Sequence, residues 1–502
     1  MKVTRYRAFS AAIAAVAGLT LSAGTPVLAS GTPAPSWPQP RYNAAGTGYN
    51  PTETQLGTGN VGRLVTRAVA PLDRPFSAAP PVVADGLVIV TGYYSSGGQK
   101  GEIEAFPQSC GAPLGLSCKP AWKAFVSYDD SMGVTVSDGM VFANTLTAKP
   151  TQKLWVFSVY CGTGGATCRP LWTTNIRGLS YADQAPTVAG GVIYVPYGRI
   201  GDAAVLAFPE ACKTGCQPLW GGPLPDVVDD SVAVANGFVY VPDYDGAIYA
   251  FRVGCATGGN VCDPAWAGSV GENGPRGAAV AGGLLFIGSQ NGDLYAFKAT
   301  GCGQPVCSPV WTAVTKHGAN FLARPAVAYG LVFITNYVTG YLYAYPEHCA
   351  AVCKPVWQAF LAPQNLGAPA VANGVVYVAE GNSAKNVGID AFSVHCASDG
   401  GTCTPLWHGN GGSYYVPSGP VVAGGELWAT GGPQNGPANL YAFGLPVPGA
   451  ARAGTEARGG GWPAPCPLLA HLARGCRSRV DHSGLRDAPT GPGSCTCQAG
   501  QA

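Results

Sequence analysis

Eighteen cysteines are the first residues of this 502-residue chain whose type and spacing imply chemistry. Fourteen of them form seven close pairs: Cys110 with Cys118, Cys161 with Cys168, Cys212 with Cys216, Cys255 with Cys262, Cys302 with Cys307, Cys349 with Cys353, and Cys396 with Cys403. After each second cysteine come one residue, Pro, another residue and Trp, ending at Trp122, Trp172, Trp220, Trp266, Trp311, Trp357 and Trp407. Closely spaced thiols either oxidise to disulfides or ligate metal, and Cys-x3-Cys at Cys212 and Cys349 has the look of half a zinc site. A second group is ionic. Asp129, Asp130, Asp183, Gln184, Asp229 and Asp230 precede Arg276, His317 and Arg324, acid first and base later. With 11% charged residues, and 29 Lys+Arg against 27 Asp+Glu, the chain lacks the field that nucleic acid or an anionic membrane surface requires; neither is expected as a partner.

The elements that must position these groups follow from the Trp-to-Trp spacings of 50, 48, 46, 45, 46 and 50, a β-rich repeat length that reads as a propeller. In each unit two short β-branched runs flank a turn signal, as at Asp85-Gly86, Asp138-Gly139, Asn236-Gly237, Asn373-Gly374 and Gly424-Gly425. Such a pair makes a tight hairpin because both central residues must accept positive φ. A third strand follows the theme Leu-Tyr-Ala-Phe, at Ile248 to Phe251, Leu294 to Phe297, Leu342 to Tyr345 and Leu440 to Phe443. The Cys loop comes next, and Pro-x-Trp opens the fourth strand.

The expected fold class is therefore all-β, an eight-bladed propeller of four-stranded antiparallel blades. Its units start near Pro80, Val134, Pro186, Val232, Ala278, Pro325, Pro369 and Pro420. The eighth unit ends at Phe443 with no Cys loop and no Trp strand, so Gly62 to Ala70 is expected to complete that blade and remove the open edges. On such a ring the ionic loops converge on one end of the central channel. Asp130, Asp183, Gln184, Asp229, Asp230, Arg276, His317 and Arg324 are the candidate residues for binding a polar ligand there, with Tyr181, Tyr414 and Tyr415 in the same loop class able to stack on a sugar or peptide. Asp243-Tyr244-Asp245-Gly246 and Asn291-Gly292-Asp293 read as hairpin turns, because their spacing lacks the bidentate Glu of a calcium loop. No metal site is expected.

Lys2, Arg5 and Arg7, the apolar run Ala8 to Leu21 and the small-residue site Val27-Leu28-Ala29 read as a secretory signal peptide over residues 1–29. The run is too short to span a bilayer, so a secreted, extracellular monomer without a membrane span is expected. Export to an oxidising compartment turns the seven cysteine pairs into local disulfides, and zinc half-sites on separate blades would not converge. The expected organisation is an N-terminal extension over 30–61, the propeller over 62–445 and a disordered tail over 446–502. The tail, with Cys466, Cys476, Cys495 and Cys497, also has the composition of an out-of-frame reading of GC-rich DNA.

The repeat with Ala-x-Gly-x-Val-Tyr-Val and Leu-Tyr-Ala-Phe ending in Trp resembles the PQQ-like (pyrroloquinoline quinone repeat) β-propeller family, which includes quinoprotein dehydrogenases and an outer-membrane assembly lipoprotein. The entry segment Trp37-Pro38-Gln39, with Asn43 and Thr47-Gly48-Tyr49-Asn50, is similar to the leader of such propellers. The resemblance covers about residues 37 to 445 and speaks to fold more than function. An enzyme of this family would imply a disulfide between adjacent cysteines and a Trp on the two faces of the quinone, calcium held by Glu and Asn, and an Asp base. No two cysteines here are adjacent, the repeated Trp reads as blade packing, and Glu102, Glu104, Glu210, Glu272, Glu347, Glu380 and Glu426 show no pairing logic. The expected function is a non-catalytic binding or scaffold module for an unknown protein, glycan or small polar ligand, with no catalytic residues and no cofactor. The alternatives are a PQQ-dependent dehydrogenase oxidising alcohols or sugars, which would need PQQ with calcium, and a cell-surface glycan- or peptide-binding protein.

Overall fold

The computed structural model describes residues 36–447 except 74–78, 93–99, 112–117, 128–132, 147–150, 178–184, 200, 214, 229, 256–259, 272–273, 315–323, 362–366, 382–387, 411–418 and 433–437. The expected signal peptide and nearly all of the expected tail lie outside the described residues.

The chain forms eight sheets of four or five strands. Blade 7 shows how a unit is built: inner strand Ala370–Ala372, second strand Val375–Glu380, third strand Gly388–Ser393 and outer strand Trp407–Asn410, each antiparallel to the one before. Its first turn has φ of 42° at Asn373 and 77° at Gly374, the double positive φ that the Asn-Gly signal requires. The second strands Phe238–Asp243, Leu284–Ser289, Leu331–Asn336 and Val375–Glu380 are buried at every residue. Each lies between two neighbouring blades, so the alternation of a half-exposed strand disappears and a continuous apolar run replaces it. The ring closes as expected. Val65–Pro71 is the outer strand of blade 8 and pairs antiparallel with Asn439–Gly444, with Val69 opposite Tyr441.

All seven cysteine pairs are disulfide-bonded, with Cα atoms 5.4 to 6.0 Å apart, the reach of a hairpin-spanning bridge. The loops they close also leave their own blade, which the repeat pattern does not reveal. Ala166–Cys168 of blade 2 pairs parallel with the outer strand Trp122–Ser127 of blade 1. Asn260–Val261, Val306–Cys307 and Gly401–Thr402 do the same for blades 3, 4 and 6. Expected four-stranded blades thus gain a fifth strand from the next unit, and outer edges that would otherwise be unpaired are covered. The Pro-x-Trp indoles reinforce the same joint. Trp122, Trp220, Trp311 and Trp357 donate to Val159, Val253, Glu347 and Val394 of the following blade, and Trp407 donates to the Leu64 carbonyl of the closing segment.

Asp243 and Asp245 behave as turn residues. The Asp243 carboxylate accepts from the backbone N–H groups of Asp226 and Asp245, and Asp245 accepts from Ala247. Where the chain leaves the channel for blade 8, buried Glu53 accepts from the N–H groups of Gln55 and Leu56 through one oxygen and of Gly425 through the other. Glu53→Ala is expected to cost about 3 kcal/mol, since charge-assisted bonds are lost and donors are left without acceptors; chemical denaturation measures it.

Candidate functional site

Residues 37–50, expected to precede the propeller, run through its centre and touch the blades in order. The inner-strand N–H of Val83 donates to the Trp37 carbonyl and that of Val136 to Pro38. Val188 exchanges two hydrogen bonds with the Gln39 side chain. Val234, Val280, Val327 and Val371 donate to Ala44, Ala45, Thr47 and Gly48, and Asn50 donates to the Val422 carbonyl in blade 8. These valines occupy one repeat position, and each inner strand would otherwise present unpaired backbone to the channel. Tyr49–Asn50 even adds a short parallel strand to blade 7.

Between Gln39 and Ala44 the leader turns back over the channel axis and places Arg41 there. The guanidinium donates from Nη1 to the Pro369 carbonyl at 2.9 Å and from Nη2 to the Pro325 carbonyl at 2.8 Å. Gly48, at φ 59°, is required beside it, because a Cβ there would lie 2.2 Å from Nη2. Burial, and next the positive charge of Arg324, push the Arg41 pKa down to about 9 against the opposing pull of Asp230.

Asp230, at the entrance to blade 4, and Arg324, at the entrance to blade 6, are brought together as an ion pair. Blade 5 lies between them. Arg324 crosses it over Gly277, where the inner strand bulges and a Cβ would lie 2.1 Å from the arginine Cγ. Asp230 is buried and also accepts from the Ser231 N–H at 2.7 Å. Gln39, Arg41, Asn43, Thr187, Ser231 and Arg324 are among the residues around a cavity of about 20 Å³, room for a water molecule.

Of the other candidate residues, Arg276 lies on the inner strand Pro275–Ala281 of blade 5, with its backbone opposite Gly288. Asp130, Asp183, Gln184, Asp229 and His317 lie outside the described residues, as do Asp129, Tyr181, Tyr414 and Tyr415. Arg41 was not among the sequence candidates. Its signal was present: an arginine inside the segment Trp37 to Asn50, whose glycines and asparagines mark a structured leader.

The protein is an eight-bladed β-propeller whose leader hydrogen-bonds to the inner strand of every blade. No family model and no curated protein matches the sequence. Among solved structures, it is similar to a europium-containing methanol dehydrogenase, 13% identical with a TM-score of 0.59, covering 82% of this chain and 98% of that one. It is also similar to the quinohemoprotein alcohol dehydrogenase of Comamonas testosteroni, 15% identical with a TM-score of 0.57, covering 82% of this chain and 80% of that one. The computationally designed Ika8 protein, at 10% identity and a TM-score of 0.54, covers 74% of this chain and 98% of its own. At these identities the likeness is one of fold.

Proposed function

We propose that the protein is a secreted, non-catalytic binding module that takes a small ligand bearing a carboxylate or similar anionic group at the channel mouth. The observation that carries this reading is the charge of the floor: among the described residues, two guanidinium groups, Arg41 and Arg324, lie within electrostatic reach of one carboxylate, that of Asp230. An anion arriving from the mouth would meet positive charge that is already desolvated, where attraction is strongest. Seven disulfides fit an oxidising, extracellular setting, and no helix among the described residues is long and apolar enough to cross a membrane.

A quinone-dependent dehydrogenase is the competing reading. Among the described residues the carboxylate at the floor, Asp230, already pairs with Arg324, and calcium would need several further oxygen donors. We derive no oxidation step from these residues.

Calorimetric titration with galacturonate and citrate, with glucose as the neutral control, tests the reading. The expected result is binding of at least one of the two anions and not of glucose. The double variant Asp230→Asn/Arg324→Gln is expected to weaken that binding more than about tenfold, or 1.4 kcal/mol, with its melting temperature held. Adding PQQ and calcium is expected to leave the visible spectrum of the mixture the sum of its parts. A bound-quinone spectrum with alcohol-dependent dye reduction would overturn the proposal in favour of a dehydrogenase.

A further inference from the structure

We propose that Glu380, Asp390 and His408, on three adjacent strands of blade 7, form a divalent-metal site whose donor set fits zinc. Asp390 and His408 are directly opposed across the third and outer strands, and Glu380 sits at the end of the second. His408 Nδ1 lies 2.8 Å from Asp390 Oδ1 and 3.8 Å from Glu380 Oε1, and the three donor atoms all lie within 4.8 Å of one another. Tetrahedral zinc, with bonds of about 2.0 to 2.2 Å, holds its ligand atoms roughly 3.3 to 3.5 Å apart. The two distances from His408 Nδ1 bracket that spacing. One imidazole and two carboxylates are borderline-to-hard donors, the mixture zinc accepts, and they leave a fourth position for water or an incoming oxygen.

The other blades show why this trio is unusual. Asp243, Ser289 and Asn336 occupy the Glu380 position in blades 4, 5 and 6, and each holds loop backbone: Asp243 accepts from Asp226, Ser289 donates to Val270, and Asn336 accepts from Val338 and Thr339. Glu380 is only 4% exposed, yet among the described residues no backbone or side-chain hydrogen bond reaches its carboxylate, which faces His408 instead. A carboxylate buried in this state has desolvation to offset and lacks the donors that normally offset it. At the Asp390 position blades 4, 5 and 6 carry Tyr249, Tyr295 and Tyr343.

Blade 1 is the informative contrast. There Glu104 stands opposite Lys123, the register of Asp390 and His408, and Lys123 also pairs with Glu102 and Asp73. An ammonium supplies that blade's cation internally and has no lone pair to give a metal. Blade 7 replaces it with a side chain that ligates. Room for the ring is secured by Gly388, opposite Glu380: a Cβ there would lie 2.7 Å from His408 Cε1 and 3.1 Å from Nε2. His408 is itself half-exposed, which opens the trio to solvent and to a cation from it.

The test uses the full chain with free thiols alkylated, so that Cys466, Cys476, Cys495 and Cys497 cannot compete, and with adventitious metal removed by a chelator. Calorimetric titration with zinc chloride is expected to show one equivalent bound and a rise in melting temperature. His408→Gln and Glu380→Gln are each expected to weaken binding more than about tenfold, while Lys123→Gln in blade 1 leaves it unchanged. His408→Gln alters a half-exposed ring and decides the matter if the Glu380 variant fails to fold. Absence of stoichiometric binding, or an affinity unchanged in His408→Gln, would overturn the proposal and leave an Asp390–His408 ion pair only.

Discussion

Reduction of the seven disulfides is expected to convert the protein into an aggregating species and to lower its melting temperature by more than about 10 °C, on the scaling that relates stability to melting midpoint. The chain-entropy contribution of such short loops is about 2 to 3 kcal/mol each. That figure leaves out what the loops do in this fold. Ala166–Cys168, Asn260–Val261, Val306–Cys307 and Gly401–Thr402 each cover the outer strand of the preceding blade, and Cys118, Cys168, Cys216, Cys262, Cys307, Cys353 and Cys403 are all buried. Once the loops loosen, outer edges lose their cover together, and exposed edges template intermolecular pairing. Light scattering and a thermal melt with and without reductant measure the effect. The Cys255→Ser/Cys262→Ser variant isolates one joint and is expected to lose roughly the single-loop increment of 2 to 3 kcal/mol. Reduced protein that stays monodisperse with its melting temperature intact would mean that the joints hold without their staples.

The second large effect is expected from the leader. Deleting residues 36–50 removes a hydrogen-bonded partner from the inner strand of every blade, together with buried Trp37 and the Arg41 anchor across blades 6 and 7. A truncated chain beginning at residue 51 is expected not to yield a folded monomer. The milder Trp37→Ala removes a fully buried indole from the joint of blades 1 and 8, where it packs with Ala70, Val83, Val421 and Trp428, and is expected to cost about 3 to 5 kcal/mol. Denaturant titration of Trp37→Ala, and size-exclusion chromatography of the truncation, give the readouts. A truncated protein with native stability would reduce the leader to an ornament of the channel.

Much of the ring was legible in the residues, because its information is local and written many times. Asn373-Gly374 specifies a hairpin by the φ its residues tolerate, and Cys396 to Trp407 repeats a loop-and-strand unit seen in six other blades. The closing strand could be deduced from a missing piece, since blade 8 has no Trp strand of its own and Val65–Pro71 had no other partner. The cysteine pairing was legible for the same reason, each bridge lying within one hairpin. Tyr329, at φ 55° where other blades place Asn, Asp or Gly, shows that position in the ring can impose a turn on a residue that does not favour it.

The candidate sites were less legible. Asp230 and Arg324 could be assigned to the same rim, but their pairing depends on an arginine crossing a glycine bulge in the blade between them. Glu380, Asp390 and His408 look unrelated in the chain because a face shared by three strands has no linear period. The sequence by itself determined the blade, the number of blades, the closure and the staples, since each is fixed by steric preference and periodicity over a few residues. Only the tertiary structure decided that the leader floors the channel, that the stapled loops reach across to the preceding blades, and that three scattered side chains meet in blade 7. Those outcomes depend on distances between segments far apart in the chain, set by how the ring closes.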